Sequence, residues 1–199
     1  MTTPPSPRGR PQAASREFLQ EAAFELFLEN GFAGTTVEQI TTRAGVSRNT
    51  FFNYFTAKGD VFWVELDDSL PVVAASLRDA SDDTPPMTAV LDALLALGRE
   101  FGPGRVPFAL TQYELIGSVH ELQASALTRF TAQAAVIREY LVRRGVDRLH
   151  ASAAAYAAIG AAVAAGQAWA AAGTGRGDVD EYLSAALEPV VEGFDRLES

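Results

Sequence analysis

A chain of 199 residues, 48% of them hydrophobic, can bury one sizeable core or one core with a small satellite module. It holds no cysteine, which excludes disulfides and thiolate metal sites and makes a reducing cytoplasm the natural compartment. A net charge of −9 speaks against a nucleic-acid partner unless it is unevenly spread. It is uneven: through residue 60, Arg8, Arg10, Arg16, Arg43, Arg48 and Lys58 balance Glu17, Glu21, Glu25, Glu29, Glu38 and Asp60, and the excess acid lies beyond.

The opening MTTPPSPRGRP lacks the apolar stretch of a secretory signal, so residues 1–14 are expected to form a flexible arm. Arg8 and Arg10 there suit an adjacent minor groove, and equally suit an ordinary charged terminus. Phe18, Leu19, Ala22, Ala23, Leu26 and Phe27 then recur at helical spacing, with Glu17, Glu21, Glu25 and Glu29 on the other side. This predicts an amphipathic helix from Ser15, its cap, to Asn30, with Gly31 as the left-handed stop. Because four acids fall on that helix, the segment from Arg43 to Lys58 is expected to be locally basic.

Thr36 should open a second, short helix, with Gln39 reaching back as in a capping box, and the helix should end near Ala44. Gly45 permits the positive φ of a tight turn, Ser47 caps a third helix, and Val46 can pack across that cap onto Phe51. A helical pattern resumes at Ala57 and runs to about Ala80, where Pro71 should kink or split it. After the turn SDDTPP come helices at roughly 87–101, 105–117, 119–144, 148–172 and 178–197, and no alternating β-branched run appears. The fold class is therefore all-α. Its expected parts are the arm, a helix-turn-helix domain over residues 15–60, and a helical effector and dimerisation domain over residues 61–199.

Residues 35–58, TTVEQITTRAGVSRNTFFNYFTAK, carry the most information. Ile40, Ala44, Val46, Phe51 and Phe55 are spaced to pack inward. That leaves Ser47, Arg48, Asn49, Thr50, Phe52, Asn53 and Tyr54 on or beside the outer face of the third helix. Arginine can reach the guanine acceptors, asparagine can pair with adenine, and hydroxyls suit phosphate. Periodicity alone fits a plain helical hairpin with a polar surface just as well.

The motifs decide between them. Asn30-Gly31-Phe32, Thr35-Thr36-Val37, Ile40, Ala44-Gly45-Val46-Ser47 and Thr50-Phe51-Phe52-Asn53-Tyr54-Phe55, with Lys58 following, closely resemble the signature of TetR-family transcriptional regulators across residues 16–61. The resemblance implies that Thr36 and Thr50 touch phosphates, that Arg48 and Asn49 face base edges, and that Tyr54 and Lys58 clamp the backbone. Two positions depart from the pattern. Relatives often have glycine where Asn49 stands, so a side chain there adds readout, and many have tyrosine where Phe52 offers only a ring. Glu38 lies near the expected phosphate path, where like charge would cost affinity.

The remaining layout resembles the same family's effector domain. Leu94, Leu97, Phe101, Phe108, Tyr113 and Phe130, with Gln112 between them, suit the apolar wall and polar anchor of a ligand pocket, and suit a plain core equally. Residues 151–173 carry no charge, but they are mostly alanine, hold Gln167 and lack basic flanks, so a membrane span is disfavoured. Gly160, Ala164 and Ala168 share one face at four-residue spacing. With Leu183, Leu187, Val190, Val191 and Phe194 they resemble the family's dimerisation pair.

His120 and His150 stand apart without metal-spaced partners, and no phosphate loop or nucleophile elbow appears, so neither an enzyme nor a cofactor or metal site is expected. The implied protein is a homodimeric cytoplasmic repressor that binds a pseudo-palindromic operator on double-stranded DNA and is released by a small hydrophobic, acyl-CoA-like effector. A DNA-binding regulator governed by a protein partner is the alternative.

Overall fold

The computed structural model describes residues 12–101 and 106–195, and among them there is no strand. The chain divides between Phe62 and Trp63 into two units. The first contains α1 (Gln12–Gly34), α2 (Val37–Ala44) and α3 (Arg48–Phe52), followed by a 3-10 turn over Lys58–Trp63 at the boundary.

Helix α1 starts before its expected cap, so Gln12–Ala14 are helical rather than part of an arm and Ser15 lies inside the helix. Arg8 and Arg10 lie outside the described residues. Gly31 is left-handed as expected (φ 71°), yet the chain re-enters a helical turn as far as Gly34. The buried hydroxyl of Thr35 accounts for this, donating to Gly31 O at 2.9 Å and Leu26 O at 3.1 Å and so gathering carbonyls that the break would leave unmet. Leu19, Ala23, Leu26, Phe27, Ile40, Phe51, Val61 and Phe62 form the interior. At its centre the Phe62 ring stacks on Phe27 (5.3 Å, 13°), with Phe24 and Phe32 tilted against it at 6.3 and 6.0 Å. The buried Gln20 amide donates to Val61 O at 3.1 Å, satisfying a carbonyl that the 3-10 turn leaves open.

The second unit comprises α4 (Val64–Asp79), α5 (Pro86–Gly98), α6 (Phe108–Thr111), α7 (Tyr113–Ser118), α8 (His120–Arg143), α9 (Arg148–Ala171) and α10 (Val179–Asp195). Pro71 does not split α4. Val73 and Leu77 beyond it are buried, and that packing outweighs one missing amide bond. The single helix expected over 105–117 is instead two short ones, broken at Gln112, whose backbone (φ −113°, ψ 23°) leaves the helical region. Helix α9 packs against both α8 and α10, α10 also meets α5, and α4 meets α5 and α8. Ala151, Ala154, Ala155 and Ala158 on the inward face of α9 are small enough to let these neighbours approach closely. Asp147 caps α9 by accepting from Leu149 N at 2.9 Å. Arg144 fixes the turn before α5 by donating to Asp82 O and Thr84 O at 2.7 and 2.8 Å.

Candidate nucleic-acid interface and effector cavity

The helix-turn-helix is set by short-range bonds. Thr36 Oγ1 accepts from Gln39 N (3.2 Å) while Gln39 Oε1 accepts from Thr36 N (2.8 Å), closing the expected capping box. Gly45 is left-handed (φ 66°), and Val46 N donates back to Thr41 O at 3.0 Å, ending α2 in one step. Ser47 Oγ accepts from Thr50 N at 3.1 Å and shares a 2.9 Å bond with Thr50 Oγ1. Backbone bonds from Asn53 N to Asn49 O and Phe55 N to Phe51 O, both 3.0 Å, carry the helical geometry past the formal end of α3.

Phe51 and Phe55 are buried and anchor this rod. Ala44 and Val46 are half-buried beside them. Ser47, Arg48, Asn49, Phe52 and Asn53 are exposed, and Thr50 and Tyr54 are half-buried. The Arg48 guanidinium carbon sits 5.5 Å from the Phe52 ring centroid, so the ring carries the cation rather than standing alone. The exposed face therefore offers one cation, two amides and an aromatic edge. That is the chemistry of base-edge and phosphate contact.

The basic segment foreseen between Arg43 and Lys58 is only partly present. Arg43 donates to both oxygens of Glu29 (2.9 and 2.7 Å) and to Glu25 (3.1 Å), bracing α2 on α1. These bonds hold the Glu29 carboxyl below its ordinary range and raise the Arg43 guanidinium further. The Lys58 ammonium donates to Phe32 O (2.7 Å) and Thr35 O (3.0 Å) and lies 4.2 Å from the Phe32 ring, so it holds the loop that leads into α2. Asp60 accepts from Thr56 N and Ala57 N at 2.8 and 2.9 Å. Of the two arginines on α2 and α3, Arg48 is the one without an ion pair.

The second unit is hollow. A cavity of about 300 Å³ is walled by Leu66, Leu70 and Val73 of α4, Leu94 and Leu97 of α5, Phe130 and Ile137 of α8, and Ile159 and Val163 of α9. Of the residues singled out in the sequence, Leu94, Leu97, Phe101, Tyr113 and Phe130 line it. Phe108 and Gln112 do not: Phe108 opens α6, half-buried, and Gln112 is taken up by the break between α6 and α7.

The polar side chains of the wall are Ser69, Tyr113, Arg129, Gln133 and Gln167. Gln167 lies in the uncharged, alanine-rich stretch of α9, where no sequence pattern marks it as a wall residue. The missed signal was one of register. Ala126, Arg129, Phe130, Gln133 and Ile137 fall on one helical face, so two polar side chains sit inside an apolar stripe. Gly166 completes the wall beside Leu110, since a Cβ there would lie 3.0 Å from Leu110 Cδ1.

Helix α9 presents a second face. Gly160, Ala164 and Ala168 are exposed, in line with exposed Leu149, Ala153 and Tyr156, giving an apolar stripe along the whole helix. The expected partners on α10 need correction. Leu183, Leu187 and Val191 are buried in the unit's own core, because α10 turns its apolar side toward α9 and α5. Val190 and Phe194 are half-buried at the core's margin. By length and composition α9 could cross a membrane, yet Ala151, Ala155, Ile159 and Trp169 on its other side belong to this core.

A helix-turn-helix of this build, in one chain with a hollow all-helical unit, defines a DNA-binding regulator with its own ligand-binding domain. Comparison with known proteins makes the assignment specific. The family description "Bacterial regulatory proteins, tetR family" matches residues 19–62, and that of the MftR C-terminal domain matches residues 84–195. The chain belongs to the TetR family of bacterial transcriptional regulators. It is 26% identical over 95% of its length to the Mycobacterium tuberculosis protein named as the mycofactocin biosynthesis transcriptional regulator MftR, covering 96% of it. It is 32% identical to the Escherichia coli regulator RutR over 42% of this chain and 39% of that one. Among solved structures it resembles Thermus thermophilus FadR, a TetR-family repressor in complex with lauroyl-CoA (TM-score 0.58, 26% identity, 89% of this chain and 94% of that one).

Proposed function

We propose that this chain is a ligand-responsive repressor that binds a pseudo-palindromic operator as a homodimer and leaves it when an elongated hydrophobic effector, acyl-CoA-like, enters the second unit. The observation that carries this reading is the apolar cavity, of a kind that a filled structural core does not keep. The lauroyl-CoA in the related FadR supports the same effector class.

The unit ending at Phe62 reads DNA and the unit from Trp63 holds the effector and the partner copy. Arg48, Asn49 and Asn53 read base edges in the major groove. Thr36, Ser47, Thr50 and Tyr54 meet phosphates, Phe52 supports Arg48, and Lys58 positions the phosphate-facing start of α2. The exposed stripe of α9 pairs with its copy, so that two α3 helices stand about 34–36 Å apart, one turn of the duplex. Helix α4 starts one residue after the boundary and lines the cavity, so an effector acts on the stretch that follows the DNA-binding unit.

Such a protein works in the cytoplasm. The test is operator affinity, measured by fluorescence anisotropy on duplexes from the protein's own promoter region, with and without dodecanoyl-CoA. A fall of roughly 5- to 150-fold is expected. Tight binding indifferent to every acyl chain length would leave a constitutive binder and remove the effector from the account.

A further inference from the structure

The DNA-binding unit is short of positive charge where a duplex rewards it most. Its described residues, through Phe62, hold four cations against six acids. Arg43 is neutralised by Glu25 and Glu29, which leaves Arg48 and Lys58 to face Glu38 and Asp60 over the helix-turn-helix and the turn after it. Lys58 has two of the three donors of an ammonium group on Phe32 O and Thr35 O.

Glu38 makes the deficit local. It is exposed in the first turn of α2, two residues after Thr36, and it forms no ion pair with a described residue. A carboxylate there stabilises the helix by opposing the partial positive charge of its free amides. By the same interaction it cancels the field that would draw in a phosphate. Operator binding commonly neutralises roughly 6–10 phosphates, releasing the ions condensed on them, and a surface without net charge has little of that to offer.

Two cations of this unit stand outside that balance. Arg8 and Arg10 precede α1, outside the described residues, and no acid occurs before Glu17. The residues beyond Phe62 carry the whole net charge of −9, so they provide no substitute.

We infer that Arg8 and Arg10 supply the phosphate-neutralising charge that the helix-turn-helix lacks, and that Glu38 works against them. The helix-turn-helix then selects the sequence, while the two N-terminal arginines provide the hold that salt can weaken. This rests on the chain binding an operator as a dimer.

The test is the salt dependence of binding by the full chain, read by fluorescence anisotropy on duplexes tiled from the protein's own promoter region, between about 50 and 200 mM salt. Each phosphate neutralised adds about 0.9 to the slope of log affinity against log salt, so in a dimer the double variant Arg8→Gln, Arg10→Gln should lose about 3.6 of that slope. The double variant Arg8→Lys, Arg10→Lys should keep it, because the charge is kept. Glu38→Gln should bind severalfold more tightly, and equally so on every duplex bound, because the carboxylate repels phosphates and reads no base. An unchanged slope in the glutamine variant, a slope lost as fully in the lysine variant, or no gain from Glu38→Gln overturns the inference and leaves operator binding intact. A wild type that binds no duplex takes the operator reading and this inference down together. The slope does not depend on how much of a preparation is folded, so a poorly folding variant does not protect the proposal.

Discussion

The two units solve opposite problems with the same secondary structure. The first is tied by directional bonds: the Thr36–Gln39 box, the Ser47–Thr50 pair, the Thr35 hydroxyl on two carbonyls and the Lys58 ammonium on two more. Its centre is a packed ring cluster around Phe62. The second is built from helices of up to 24 residues that approach through alanine and leave a space unfilled. A surface that must match the fixed spacing of base pairs profits from stiffness. A domain that must accept a molecule has to forgo some of its packing. The difference teaches that one group of helices can be tied by local directional bonds while another, packed through small side chains, keeps room inside.

Truncation is the sharpest way to break that comparison. Phe62→Ala removes a fully buried ring from the stacked cluster and should cost about 3–5 kcal/mol, unfolding the DNA-binding unit first. Leu70→Ala removes a half-buried side chain that already borders empty space, and should cost less than about half as much, because it opens little new cavity. Urea unfolding followed by circular dichroism compares the two. Equal losses would mean that the second unit is packed as tightly as the first.

A smaller effect separates the reading face from the frame beneath it. Arg48→Ala should lower operator affinity and relax discrimination by about 1–3 kcal/mol at one base pair, with the folded state untouched because Arg48 is exposed. Thr36→Ala should differ in both stability and discrimination. It removes the cap of α2 and about 1 kcal/mol of stability, lowering affinity evenly across operator variants because no base is read by that hydroxyl. Anisotropy on a panel of single-base operator mutants distinguishes them. A uniform loss for Arg48→Ala would move that residue from the base edges to the backbone.

What was legible in the sequence follows the range of the interaction. The Thr36 box, the left-handed Gly45 and the Ser47 cap each join residues within five positions, and each is present. The pairing of Arg43 with Glu29 spans 14 positions, that of Lys58 with Phe32 spans 26 and that of Arg129 with Asp67 spans 62. No local pattern distinguishes such partners from solvated charges. Helical periodicity likewise marked the inward faces of α5 and α8 but could not say whether the space between them is filled. That depends on how α4, α5, α8 and α9 meet, and a single glycine such as Gly166 alters the answer. The break at Gln112 was hidden as well, since its neighbours have ordinary helix propensity and no glycine or proline stands at it.

The smallest expected effect tests whether the first unit's directional bonds reach its surface. Arg43→Ala removes the bridge to Glu29 and Glu25. The pair is exposed, so the loss at neutral pH should be slight and should shrink in high salt. Its pH dependence has a fixed sign. Bonding to Arg43 depresses the Glu29 carboxyl in the folded state, so the stabilisation is complete above the ordinary glutamate value of 4.5 and fades as the pH falls through the lower folded value. Melting temperatures of wild type and variant should therefore differ at pH 7 and converge below pH 4.5. A gap that persists in acid would mean that Arg43 braces α2 through its aliphatic stem against α1, and the contact would then count as packing rather than as charge.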